Sequence, residues 1–178
     1  EVLAERFGLG GVFVGLPTMA TADPMFDRVH AWLRTTVADH DVSITLAHGK
    51  AALNDNYVGL LRRQWNGILY GESDSGDRVG EVVVNEWLRG RKRNGLASFV
   101  IGTIDQSLFA ALKAKHIVLR HLGLVGKVVV IDEVHAADDY MREYLKRLLS
   151  WLGAYRTPVI LMSATLPPEQ RDEFLCAY

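Results

Sequence analysis

The sequence predicts a three-layer α/β fold in which one parallel sheet is covered by helices on both faces. Three observations carry that expectation. Short runs such as Val128-Val129-Val130-Ile131 are apolar at every position, as strands buried on both sides of a sheet must be. Between them lie segments with a single apolar stripe at spacings of three and four, the pattern of a helix lying on such a sheet. The two patterns alternate along the chain, and that order favours parallel pairing through helical crossovers. A length of 178 residues suits one domain with a core of ordinary size, without internal repeats.

Taken in order, Val2, Leu3, Ala4 and Phe7 read as the last turns of a helix, with Gly8 at its left-handed C-cap. The chain therefore reads as a piece of a longer protein, without the strand and loop expected before that helix. Val12 to Leu16 is a buried strand. Asp23-Pro24 suggests an N-cap followed by proline at the first helical position, and Phe26, Val29, Leu33 and Val37 then form one stripe. Val42 to Leu46 is a second strand, ending at His48-Gly49, and Leu53, Tyr57, Leu60 and Leu61 favour a helix after it. Gly71 to Gly80 is a polar, glycine-rich surface loop. A helix is expected near Val83 to Leu88, a strand from Ser98 to Ile101, and helix again over Leu108 to Leu112. Lys127 to Ile131 is the clearest strand. A helix from Asp139 to Leu152 follows, with Gly153 as its stop; Val159 to Met162 is the last strand, and Pro167-Pro168 opens the last helix.

The bulk composition excludes several classes. Hydrophobic residues at 49% and charged residues at 23% are the balance of a globular protein, and no run approaches the ~20 apolar residues that cross a bilayer. The first residues are charged and lack the apolar core of a signal peptide. Cys176 is the only cysteine, so no internal disulfide forms and a reducing, cytoplasmic compartment is expected. The net charge of -1 means that any nucleic acid must be held by a local surface.

In parallel sheets, chemistry collects at the carboxyl ends of strands. There the apolar run Val128 to Ile131 delivers Asp132 and Glu133, the arrangement called Walker B. Asp132 would hold a magnesium ion through its water shell, and Glu133 would orient and deprotonate the water attacking a terminal phosphate. Two acids ending a strand can also be a simple turn. However, His135 completes Asp-Glu-x-His, and Ser163-Ala164-Thr165 stands at the end of the next strand with two hydroxyls. Pro17-Thr18-Met19-Ala20 and Gly102-Thr103-Ile104-Asp105-Gln106 end two further strands, where backbone N–H groups and hydroxyls suit nucleic-acid phosphates and Gly102 permits close approach.

The order P-T-x-x-A, G-T-x-D-Q, D-E-x-H, S-A-T resembles the first RecA-like domain of superfamily 2 helicases. More narrowly, VGLPTMATADPMF, GTIDQSL, VIDEVHA and MSATLP resemble the CRISPR-associated helicase–nuclease recruited by the Cascade surveillance complex in type I systems. The resemblance runs through almost all of the chain. It implies a RecA-like, P-loop NTPase fold over residues 1–178, truncated at its N-terminal strand and P-loop, in a prokaryotic, cytoplasmic protein. It implies an ATP- and magnesium-dependent motor in which Asp132 and Glu133 keep the roles above. His135, with Ser163, Ala164 and Thr165, would contact the nucleotide and couple its state to the DNA groove. Pro17, Thr18, Thr103 and Gln106 would lie along single-stranded DNA, mainly at its backbone. The implied partners are single-stranded DNA, Cascade, and a second RecA-like domain of the same chain. An attached HD nuclease domain would degrade the strand.

No G-x-x-x-x-G-K-[ST] occurs in the chain, and Gly8-Leu9-Gly10-Gly11 lacks both the spacing and the lysine. The P-loop is expected upstream of Glu1, and the piece alone is expected to be inactive. Some features mislead. His40-Asp41 spells the HD dipeptide without the separated ligands such nucleases need. Arg91-Lys92-Arg93 is either a DNA-phosphate contact or a solvated turn; Trp65 and Trp87 read as core, and Cys176 as a packed side chain. Two other functions remain open at this point. One is the motor of another superfamily 2 branch acting on RNA or DNA; the other is a nucleic-acid-binding module without hydrolysis.

Overall fold

The structure, a computed structural model, describes residues 2–36, 42–70, 82–84, 93–112, 116–136 and 138–178. His40-Asp41, Val37, Gly71 to Gly80, Arg91-Lys92, Trp87 and the side chain of Trp65 lie outside the described residues.

The apolar runs form the strands β1 (Val12–Leu16), β2 (Val42–Ala47), β3 (Val82–Val83), β4 (Phe99–Thr103), β5 (Val128–Ile131) and β6 (Val159–Leu161). All pairings are parallel, in a single sheet of order β3-β2-β4-β1-β5-β6. β1 is central. Its Leu16 stands opposite Thr103 of β4, and its Gly15 opposite Ile131 of β5, so three strands end side by side. The helices are α1 (Val2–Arg6), α2 (Met19–Thr36), α3 (Asp55–Tyr70), α4 (Ile104–Leu108), α5 (Ile117–Leu122), α6 (Asp139–Ala154) and α7 (Pro168–Ala177). No helix among the described residues is long and apolar enough to cross a membrane.

Alternation along the strands sends neighbouring side chains into two cores. On one face, Phe13, Val100, Val129 and Ile131 meet Leu145, Leu148, Leu149 and Leu152 of α6 and Phe174 of α7. On the other, Leu16, Ile44, Leu46 and Ile101 meet Ala22, Phe26 and Leu33 of α2 and Tyr57 of α3. Each leucine buried in this way contributes about 1.5–3 kcal/mol. The expected three-layer α-β-α architecture is the one observed.

Several expectations need correction. Cys176, read as a packed side chain, is exposed on α7. α2 begins at Met19, not after Asp23. Thr18 caps it: the Thr21 N–H donates to Thr18 Oγ1 (3.2 Å) and the Thr18 N–H donates to Thr21 Oγ1 (3.3 Å). Asp23 lies inside the helix, where its Oδ1 accepts from His48 Nε2 (3.1 Å) and Asn54 Nδ2 (3.0 Å). A tertiary partner thus takes the carboxylate that local sequence assigns to a cap. Val83, where a helix was expected to begin, belongs instead to the strand Val82–Val83, because the β-branched pair adds to the edge of the sheet beside Val42 and Ser43; residues 85–88 of that expected helix lie outside the described residues. The segment after β4 turns helical at Ile104 and tightens to a 3₁₀ turn over Phe109–Ala111, earlier than the expected start at Leu108. Finally, Gly153 does not stop α6. The helix runs on to Ala154 and ends at Arg156, whose φ of 54° is left-handed. The Arg156 N–H then reaches the Gly153 carbonyl, and the Thr157 N–H reaches that of Leu152, a Schellman ending. Gly153 is needed for another reason, since a Cβ there would stand 1.9 Å from the Tyr178 carbonyl oxygen.

Candidate functional site

The carboxyl ends of β5 and β6 are joined by backbone hydrogen bonds that carry the sheet one step further. The Met162 N–H donates to the Ile131 carbonyl (2.8 Å), and the Val134 N–H to the Met162 carbonyl (3.1 Å). The Asp132 N–H donates back to Gly15 of β1 (2.9 Å). Asp132 is therefore aimed by two neighbouring strands, with little freedom left to its backbone. One oxygen of its carboxylate accepts the Glu133 N–H (2.9 Å). The chain then turns through Glu133 at φ 56°, a left-handed conformation that a glutamate adopts only at a cost.

That turn brings Glu133 back against His135, with Oε2 3.0 Å from Nδ1. Oε2 is shielded from solvent, yet no donor is aligned with it. The imidazole therefore sits beside the carboxylate without satisfying it. Ser163 donates its hydroxyl to the Thr165 carbonyl (2.8 Å), which leaves its oxygen to accept from His135 Nδ1 (3.2 Å). The expected neighbourhood of Asp132, Glu133, His135 and Ser163 is thus formed. Thr165 enters through its carbonyl rather than its hydroxyl, and Ala164 is an exposed link between them.

The remaining predicted residues come together elsewhere on the same edge of the sheet. Pro17, Thr18, Thr103 and Gln106 line one groove of about 630 Å3 above β1 and β4, with Gly49 from the end of β2. Thr18 is exposed, and Thr103 lies buried at the groove floor. Gly102 permits close approach, as expected, but to the neighbouring strand: a Cβ there would stand 2.3 Å from the Ala47 carbonyl oxygen. Sequence reasoning missed the other wall, which is built from Met19, Phe109, Leu112, Tyr140, Met141 and Tyr144. The available signal was the i,i+4 spacing of Tyr140 and Tyr144, which puts both on one side of α6. Their hydroxyls meet at 2.8 Å, and this bond, more than any other influence, raises the Tyr140 pKa. Also missed was the network of Asp23, His48 and Asn54, which ties α2 to the end of β2. His48 Nδ1 accepts the Lys50 N–H, so Nε2 carries the proton that is donated to Asp23.

A parallel sheet with Asp-Glu-x-His at the end of one strand and a serine loop at the end of the next defines a RecA-like helicase domain. The chain belongs to the DEAD/DEAH box helicase family, whose model matches residues 62–174. It is similar to the CRISPR-associated nuclease/helicase Cas3 of Streptococcus thermophilus, at 48% identity over all of this chain and 19% of that protein. Among solved structures it resembles T. fusca Cas3-ATP, with a TM-score of 0.80 and 39% identity over 99% of this chain and 18% of that one. It also resembles a chain in a CRISPR RNA-guided surveillance complex, pre-nicking, with a TM-score of 0.50 and 34% identity over 94% of this chain and 17% of that one. The chain therefore spans about a fifth of the length of the relatives it matches.

Proposed function

We propose that this chain is the first RecA-like part of an ATP-driven DNA translocase in a CRISPR-associated helicase–nuclease recruited by Cascade. The observation that carries the reading is the Glu133–His135–Ser163 cluster, which joins the ends of β5 and β6. The names of the relatives support it: Cas3 proteins, one solved with ATP, and a surveillance complex.

The residues suit a nucleotide with magnesium. Glu133 Oε2 is a shielded acceptor without an aligned donor, and Asp132 offers its carboxylate with one oxygen bonded to a single backbone N–H. One carboxylate with several waters is how magnesium is commonly held, and no group of three or more ligating side chains occurs among the described residues. The bound ion would neutralise charge on the transferring phosphate. Glu133 orients the attacking water and takes its proton. His135 presents Nδ1 to the Ser163 hydroxyl and beside the Glu133 carboxylate, so a shift of Glu133 would be felt by the loop after β6. Ala164 and Thr165 belong to that loop. Pro17, Thr18, Thr103 and Gln106 lie along the strand.

The phosphate-cradling loop, the second RecA-like domain and the HD nuclease are proposed to belong to other parts of the complete protein. Support for the first comes from the sheet itself. β6 is an edge among the described residues, and Ile160 and Met162 stay 37% and 38% exposed on its uncovered face. A further strand and its helix would cover both.

Removing the base tests the assignment. Glu133→Gln in the complete protein should retain ATP binding while turnover falls by at least ~100-fold, the usual worth of a general base. ATP retention on a filter together with phosphate release checks both. Turnover near the wild-type rate removes Glu133 from the role.

A further inference from the structure

The groove above β1 and β4 has an unusual wall for a path that holds a polyphosphate. Among the described residues its lining includes no lysine and no arginine, and Asp105 supplies the only charged side chain. Such a wall gives little of the counter-ion release that drives phosphate binding. It offers flat apolar surface instead, together with the amide of Gln106 and the hydroxyls of Thr18 and Thr103. A nucleobase matches that chemistry, with its apolar faces and polar edges.

Tyr140 is the side chain best placed to meet it. It is 68% exposed, the most exposed aromatic side chain lining the groove. Exposure has not left it loose. Its ring stands edge-on to Tyr144, with centroids 4.6 Å apart, and the two hydroxyls are 2.8 Å apart. Tyr144 is itself packed against the core beneath the sheet, and Asp138 caps the first turn of α6 by accepting the Met141 N–H (2.7 Å). The ring is thus held in place by a neighbour rather than by burial, and its surface stays open to the groove.

Resting on the nucleic-acid reading above, we propose that Tyr140 is a stacking platform for a base of the single strand in this groove. The groove then takes bases by their faces. A stacked tyrosine accepts any base and lets it go again, which suits a motor that must pass every sequence.

The test uses the complete protein and two labelled 12-mers, one of deoxythymidine and one of the same length built from abasic tetrahydrofuran units. Fluorescence anisotropy is read over a range of salt. Tyr140→Ala should bind the thymidine strand roughly tenfold more weakly and the abasic strand as the wild type does, with an unchanged salt slope. Tyr140→Phe keeps the ring and should behave as wild type on both. Equal affinity of Tyr140→Ala and wild type for the thymidine strand, or an equal loss on both strands, overturns the stacking role while leaving the nucleic-acid reading intact. A wild-type protein that binds neither strand overturns that reading, and the platform with it.

Discussion

Glu133 holds a φ of 56°, and the strain of about 1–3 kcal/mol is kept because bonds on both sides of it are already spoken for. Its N–H goes to Asp132, and the next N–H goes to Met162 on the neighbouring strand. The identities of Asp132, Glu133, His135 and Ser163 were legible because each sits at or just past a strand end, where spacing along the chain fixes position in space. The atoms used were less legible. Thr165 contributes a carbonyl, which spacing does not foretell, and Tyr140 an exposed ring, for which the i,i+4 pairing with Tyr144 was the one sign. Lys127 was read only as part of a strand, yet its ammonium is buried and donates to Gly95 O (2.7 Å) and Gly123 O (2.5 Å). Burial lowers its pKa from 10.5 to about 8. The unfolded chain therefore binds the proton more tightly than the folded one between pH 8 and 10.5. The burial penalty is complete below pH 8 and is relieved as pH rises through that window, by on the order of 3 kcal/mol. A neutral amine still has two N–H groups for the two carbonyls, so alkaline pH removes the charge without breaking the contacts. Urea unfolding at pH 7.5, 9 and 10 should show this rise in the wild type and not in Lys127→Met. Parallel pH dependence in the two proteins refutes it.

At the scale of elements, the buried strands and the two longest striped helices were legible because their patterns are periodic and serve a single purpose. The misreadings fell where one residue type serves two. Asp23 has the side chain of an N-cap, but the long-range partners His48 and Asn54, which follow β2, use it. Gly153 has the freedom of a C-cap, but the nearby Tyr178 carbonyl is what requires it. α5 escaped notice altogether, being a six-residue helix too short to show a period. Gly102 is the case where sequence and structure agree on the reason and differ on the partner. It stands opposite Ala47 in the β2–β4 register, and a methyl group there would meet backbone rather than a movable side chain. Gly102→Ala should therefore force two central strands apart and cost about 1–3 kcal/mol, read as a lower urea midpoint of the chain. An unchanged midpoint with weakened DNA binding would return the glycine to the groove.

For the whole molecule, the sheet is covered unevenly. α2 and α3 pack over β1, β2 and β4, while the same face of β5 and β6 carries half-buried Val130 and exposed Ile160 and Met162. Parallel sheets are stable with both faces covered, and an open apolar edge is a template for association. The proposed strand and helix of the phosphate loop would add to β6 and cover these side chains. Two settings then give opposite outcomes for one change. In the 178-residue chain, Ile160→Lys with Met162→Lys should reduce self-association, seen as a smaller sedimentation coefficient, with little effect on unfolding. In the complete protein the same lysines would fall beneath the covering helix, lose about 1.5–3 kcal/mol of apolar burial at each site, and add the cost of a buried unpaired charge. The thermal midpoint should drop sharply there. Equal tolerance in both settings would mean that nothing covers this face, and would remove the structural support for placing the phosphate loop beside β6.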